Sequence, residues 1–147
     1  MREPCIAWWP GRVPGGRVSS EAASTIDLLP TFAALSGAEV PSDRVIDGRN
    51  IAPILLGEPG AKSPHEALYY YRGNTLEAVR SGNWKLRVAG KKRSGGNSGS
   101  ELFDLAADIG EKENLADRHP DIASRLRDMM SRFDAELKAD SRPCGRV

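Results

Sequence analysis

The residues able to do chemistry are few and widely spaced. His65 and His119 each stand beside a proline, and neither has a partner at metal-ligand spacing, so both read as exposed loop histidines. Cys5 lies in an apolar run and Cys144 in a polar tail, and neither has an activating base beside it. The two cysteines are compatible with one long-loop disulfide or with two idle thiols, which leaves the redox compartment open. Ser19, Ser20 and Ser24 lack the G-x-S-x-G elbow of a serine nucleophile, and Gly15-Gly16 does not follow a phosphate-loop pattern. Asp104, Asp108, Glu111 and Glu113 are close in sequence but lack the oxygen spacing of a calcium loop, and read as a turn with a solvated rim. The basic run Lys91, Lys92 and Arg93 could meet an anionic ligand, or could be a solvated hairpin tip. No self-sufficient active site emerges.

Composition bounds the elements that could position such residues. The chain has 147 residues and a net charge of +1, so no global field points to nucleic acid or to an acidic partner. With 28% charged and 39% hydrophobic residues it reads as globular, either one domain or a small domain plus a piece of another. No apolar run approaches the roughly 18 residues of a membrane helix. The first residues lack the length and cleavage site of a signal peptide.

The first half reads as strand, turn and helix. Cys5 to Trp9 is a continuous apolar run, as in a strand buried on both faces of a parallel sheet. A Pro/Gly-rich turn follows. Asp27 is the expected N-cap of the next helix, because Pro30 then falls at its third position, where no intrahelical N–H is needed. The Asp27 carboxylate is then expected on the Leu29 amide. Leu28, Phe32 and Leu35 share a face that predicts packing on a core, and Gly37 is the stop. A short helix over Ile51–Gly57, capped by Asn50, completes this half. Glu58–Pro64 is the boundary.

Beyond it the period changes to two. Leu68–Arg72, Leu76–Arg80, Trp84–Val88 and Glu101–Leu105 predict an antiparallel meander, with Lys85 and Arg87 on the face opposite Trp84, Leu86 and Val88. The three tyrosines at 69 to 71 should point alternately to the two faces, which suits core and partner packing better than base stacking. A final helix from Pro120 carries the stripe Ile122, Leu126, Met129, Met130, Phe133 and Leu137 that should cover the sheet. Asp121–Arg125, Asp128–Arg132 and Asp134–Lys138 have favourable spacing for ion pairs.

A family resemblance runs through these segments. Trp9-Pro10-Gly11, Thr25 to Gly37, Ile46-Asp47-Gly48, Ile54 to Gly57, Ala78 to Lys85, Glu101 to Leu105 and Glu111 to Leu115 resemble, in order, the late part of a type I sulfatase of the arylsulfatase A kind. The resemblance implies an α/β fold (an alkaline-phosphatase-like fragment) over residues 1–60. An α+β subdomain, a four-stranded antiparallel sheet with a long C-terminal helix, would follow over 65–140, with a tail at 141–147. It also implies a parent enzyme that hydrolyses sulfate esters through calcium and a formylglycine made within Cys/Ser-x-Pro-x-Arg. Neither Cys5 nor Cys144 is followed by that pattern, and the family's calcium ligands and catalytic residues belong to segments upstream of Arg2. The expectation is a C-terminal piece, inactive alone, whose partner is the remainder of the catalytic domain. Lys91, Lys92 and Arg93 are its candidates for the substrate rim. The alternatives are a non-catalytic interaction module and a piece of a phosphate-ester hydrolase of the same superfamily. Family members are periplasmic, secreted or lysosomal; the chain itself gives no address.

Overall fold

The computed structural model describes residues 3–88 and 99–141. The chain divides into two compact units, Met1–His65 and Glu66–Val147.

In the first unit, Cys5 to Trp9 forms no strand and is exposed, with Ile6 at 92% and Trp8 at 83%. This corrects the expectation of a buried strand. A strand needs hydrogen-bonding neighbours on its flanks, and the described residues of this unit supply none. The turn after it does form: the amides of Arg12 and Val13 both donate to the Trp9 carbonyl, at 3.0 and 2.9 Å. Cys5 is an exposed free thiol, and Cys144 lies outside the described residues.

A 3₁₀ turn over Thr25–Asp27 leads directly into α1, Leu28–Ser36. Pro30 takes the third helical position, where its missing N–H costs nothing. Gly37 ends the helix with a left-handed φ of 73°, and the Ala38 amide closes back on the Ala33 carbonyl at 2.9 Å. The buried side of α1 is Pro30, Thr31 and Ala33, whereas Leu28, Leu29 and Phe32 are exposed. Of the side expected to face a core, Leu28 and Phe32 are thus exposed and Leu35 is half-buried. One turn of helix, α2 (Ala52–Leu55), follows, with the Asn50 carboxamide oxygen accepting the Ala52 amide at 2.9 Å.

The second unit is a meander of β1 (Leu68–Arg72), β2 (Thr75–Ser81), β3 (Trp84–Arg87) and β4 (Glu101–Asp104), antiparallel throughout and in chain order. Val79, Leu86 and Leu102 are aligned across β2, β3 and β4 by register and are fully buried under α3, Pro120–Ala139. They meet Ala123, Leu126, Met129 and Met130 of that helix in one cluster. Burial of side chains of this size stabilises by about 1.5–3 kcal/mol each. Phe133 stacks on Tyr69 with ring centroids 3.8 Å apart, while Leu137 remains exposed. The register shifts between Tyr70 and Tyr71, and the Tyr71 ring, on the same face as Tyr69, also approaches Phe133, at 6.4 Å. Tyr71 Oη donates to Asp134, which also pairs with Lys138 at 2.5 Å. The Asp121–Arg125 and Asp128–Arg132 pairs are not closed.

The β4 edge is covered. Leu102 donates its amide to the Asn114 side chain and accepts the Leu115 amide, at 3.0 and 2.8 Å. A chain segment without strand geometry thus satisfies an edge that would otherwise be open.

Candidate functional site

The densest polar arrangement of the first unit is centred on Asp27, which is fully buried. Its carboxylate does not bond the Leu29 amide as the sequence suggested. Instead Oδ2 accepts the Ser24 amide at 2.8 Å, and Oδ1 accepts the Arg49 amide at 2.8 Å. Oδ1 also meets His65 Nε2 at 2.7 Å. The 3₁₀ turn explains the change: it curls the carboxylate back over Ser24 and presents its other oxygen to the loop before α2. One turn further on, the buried Thr31 hydroxyl oxygen accepts the Ile51 amide at 3.0 Å. Asp27 and Thr31 thereby hold the 49–51 loop by two of its backbone amides.

Gly48 makes this approach possible. A Cβ there would overlap the Ile26 carbonyl oxygen, so only glycine brings the loop against the start of α1.

His65 closes the arrangement from the other side, with its side chain only 7% exposed. This corrects its reading as an exposed loop histidine. Residues 62–65 lie along 21–27 through three further bonds, and a fourth closes the segment on itself. Ser63 Oγ donates to the Ala22 carbonyl at 2.5 Å, and the Ser63 amide donates to Glu21 at 2.9 Å. Lys62 pairs with the same carboxylate at 3.1 Å, and the His65 amide donates to Ser63 Oγ at 3.3 Å. The Ser63 amide, and then Lys62, hold the Glu21 carboxyl below its ordinary range.

An aspartate–histidine pair is two of the three members of a catalytic triad, but the chemistry stops there. Ser63 Oγ is committed to Ala22, the Thr31 hydroxyl accepts the Ile51 amide and the Ser24 side chain faces the Asp27 backbone in a capping box, so none of these hydroxyls is paired with the His65 ring as a nucleophile would be. Both Asp27 oxygens are taken by donors. Among the described residues no group of three or more His, Cys, Asp or Glu side chains could hold a metal ion. The arrangement organises backbone.

In the second unit, Lys85 lies on the sheet face away from α3, as the alternation required. It pairs with Glu111 at 2.5 Å and sits 5.6 Å from the Tyr70 ring centroid. Burial raises the Tyr70 hydroxyl above its usual range. Asp108 accepts the Glu113 and Lys112 amides at 2.8 and 2.6 Å, and these bonds, the Glu113 one first, lower its carboxyl. The acidic stretch is thus a self-satisfied turn, in which Glu111 adopts a left-handed φ of 53°. His119, expected in an exposed loop, packs against Trp84 with ring centroids 5.1 Å apart. Lys91, Lys92 and Arg93 lie outside the described residues.

Sequence reasoning missed the Asp27–His65 pair, whose members are 38 residues apart. One local signal existed. Pro30 removes the amide that an N-cap carboxylate commonly takes, so a carboxylate buried there must find donors elsewhere.

Comparison with known proteins places these elements. Residues 63–146, more than half the chain, match the family described as the C-terminal region of aryl-sulfatase. N-acetylgalactosamine-6-sulfatase of Canis lupus familiaris is 52% identical over 85 residues, which cover 58% of this chain and 16% of that protein. Steryl-sulfatase of Mus musculus is 35% identical over 164 aligned residues, covering 95% of this chain and 26% of that protein. The chain therefore spans about a quarter or less of the length of these relatives. Among solved structures, the PsFucS1 sulfatase from Pseudoalteromonas sp. superposes with a TM-score of 0.78 at 21% identity, over 94% of this chain and 30% of that one. The shared architecture is that of the sulfatases, with the four-stranded antiparallel sheet and terminal helix as its closing part. The chain belongs to the sulfatase family and corresponds to its C-terminal region.

Proposed function

We propose that this chain is the scaffold-bearing C-terminal portion of an enzyme that hydrolyses sulfate esters, and that it is inactive by itself. The observation that carries this reading is the alignment to a steryl-sulfatase, 35% identical and running through both units. Calcium and a formylglycine nucleophile are the groups the family uses, and the described residues fit neither. The Asp27 oxygens are filled by donors, no metal-holding cluster stands among the described residues, and Cys5 and Cys144 lack the Cys-x-Pro-x-Arg context. Both groups belong, on this reading, to the remainder of the catalytic domain, and no reaction step falls to residues of this chain. What the chain supplies is a positioned α1 and a packed sheet-and-helix unit.

The substrate class we infer is a sulfated sugar rather than a steroid sulfate, on the 52% identity to an N-acetylgalactosamine-6-sulfatase. Lys91, Lys92 and Arg93 are the candidates to attract it at the pocket rim. Replacing all three by alanine in the complete enzyme should raise KM, and an unchanged KM removes that role. The main test compares the full-length protein with residues 1–147 alone on para-nitrophenyl sulfate and para-nitrophenyl phosphate. Sulfate release by the full-length protein and none by the shorter chain is the expected result. Hydrolysis of the phosphate ester alone would transfer the protein to the phosphatase branch.

A further inference from the structure

We propose that residues 62–65 form a strap latched by His65 onto Asp27, and that this latch sets the opening of the whole polar arrangement around the start of α1. The inference stands whether or not the protein hydrolyses sulfate esters. An ionised carboxylate only accepts hydrogen bonds, so the 2.7 Å contact requires the ring proton on Nε2. Toward Asp27, His65 thus acts as the donor, through Nε2.

Among the side-chain anchors of the strap this one is distinct. The Lys62–Glu21 pair involves a Lys62 side chain 79% exposed, and water can replace such a contact at little cost. The Ser63 bonds, like the His65–Asp27 bond, are part-buried, and each has a backbone group as one partner. The His65–Asp27 bond joins side chains 7% and 0% exposed, where a lost partner leaves an unsatisfied buried group. Removing the His65 donor therefore admits water to Asp27, and Asp27 also holds the amides of Ser24 and Arg49. Three segments remote in sequence should then open as one. Loss of an outer anchor should open the strap alone.

The experiment is amide hydrogen exchange, read by mass spectrometry on the full-length protein, for wild type and for His65→Phe, His65→Gln, His65→Asn and Glu21→Ala. Glutamine places an amide donor where Nε2 was, and asparagine places it where Nδ1 was. His65→Phe and His65→Asn should raise exchange at least tenfold together in the peptides covering residues 24–28, 48–52 and 62–65. His65→Gln should return all three to within about threefold of wild type, and Glu21→Ala should affect only the last. Equal loss of protection in His65→Gln and His65→Phe would assign the effect to ring packing and overturn the latch, as would an effect confined to 62–65. If variants fail to fold, wild-type exchange at rising urea decides. A shared denaturant dependence of the three peptides sustains the proposal, and separate dependences overturn it.

Discussion

The two units solve the same problem with opposite means. In residues 66–141 the organising contacts are apolar: Val79, Leu86, Leu102 and Leu126 are fully buried in a sheet-and-helix core. In residues 3–65 the fully buried side chains are Asp27 and Thr31, both polar, while Ile6, Trp8, Val18, Leu29 and Phe32 are exposed. Hydrogen bonds give the first unit its geometry, but a typical one contributes only about 0.5–1.5 kcal/mol net. Apolar burial is the dominant favourable term in folding, and the second unit has far more of it. The first unit leaves much of its apolar surface exposed.

Breaking the second unit should give the largest effect. Leu126→Ala leaves a cavity among Val79, Leu86, Leu102 and Met130 and should cost about 2–5 kcal/mol, read as a lowered urea midpoint of the sheet-and-helix transition. A change under about 0.5 kcal/mol would mean that this core is not what holds the unit together. The matching test in the first unit is Gly48→Ala. The added Cβ overlaps the Ile26 carbonyl, so the loop must withdraw its amides from Asp27 and Thr31. The cost of that shift should be about 1–3 kcal/mol, with faster amide exchange at Arg49 and Ile51 and none in β2 or β3.

What the sequence revealed follows the same division. The four strands and α3 were legible because a two-residue period and an apolar helical stripe both report on contacts within that unit. The α1 boundaries were legible from Pro30 and Gly37, which act locally. Cys5–Trp9 was misread because five apolar residues encode the wish for burial, and whether burial occurs depends on neighbouring strands. The Asp27–His65 pair was missed because hydrogen bonds between distant loops have no period. Lys91, Lys92 and Arg93 were noticed for their charge alone, which says nothing about where a loop lies.

Acid should separate the units by a smaller, graded effect. The Asp108 carboxyl is held below its ordinary value of 3.8, chiefly by the Glu113 amide and then by that of Lys112. A carboxylate depressed in the folded state contributes fully above its unfolded pKa, and the contribution is lost as pH falls through the folded value. The turn over 108–113 should therefore loosen only below about pH 4, seen as faster exchange of the Lys112 and Glu113 amides. Asp108→Asn should show that loosening already at neutral pH, and a variant with wild-type exchange would remove the carboxylate from the account. Glu21 follows the same sign in the first unit, since the Ser63 amide and Lys62 lower its carboxyl from 4.5. Its loss should free the strap's outer anchors and leave the turn at 108–113 untouched.

The smallest effect is the most discriminating. Phe32 is 58% exposed on the uncovered side of α1. Phe32→Ser in residues 1–147 alone removes little buried area and should change α1 amide protection by no more than about 0.5 kcal/mol. In the full-length protein the same substitution should cost about 1.5–3 kcal/mol if the remainder of the catalytic domain covers this face, because a buried phenylalanine contributes on that scale. The size of the difference between the two backgrounds measures how much of the first unit's stability resides outside it. Equal and small effects in both would leave the Leu28, Leu29 and Phe32 surface facing solvent in the complete enzyme. The first unit would then depend on its polar arrangement alone, and the His65 latch would become its principal stabilising contact.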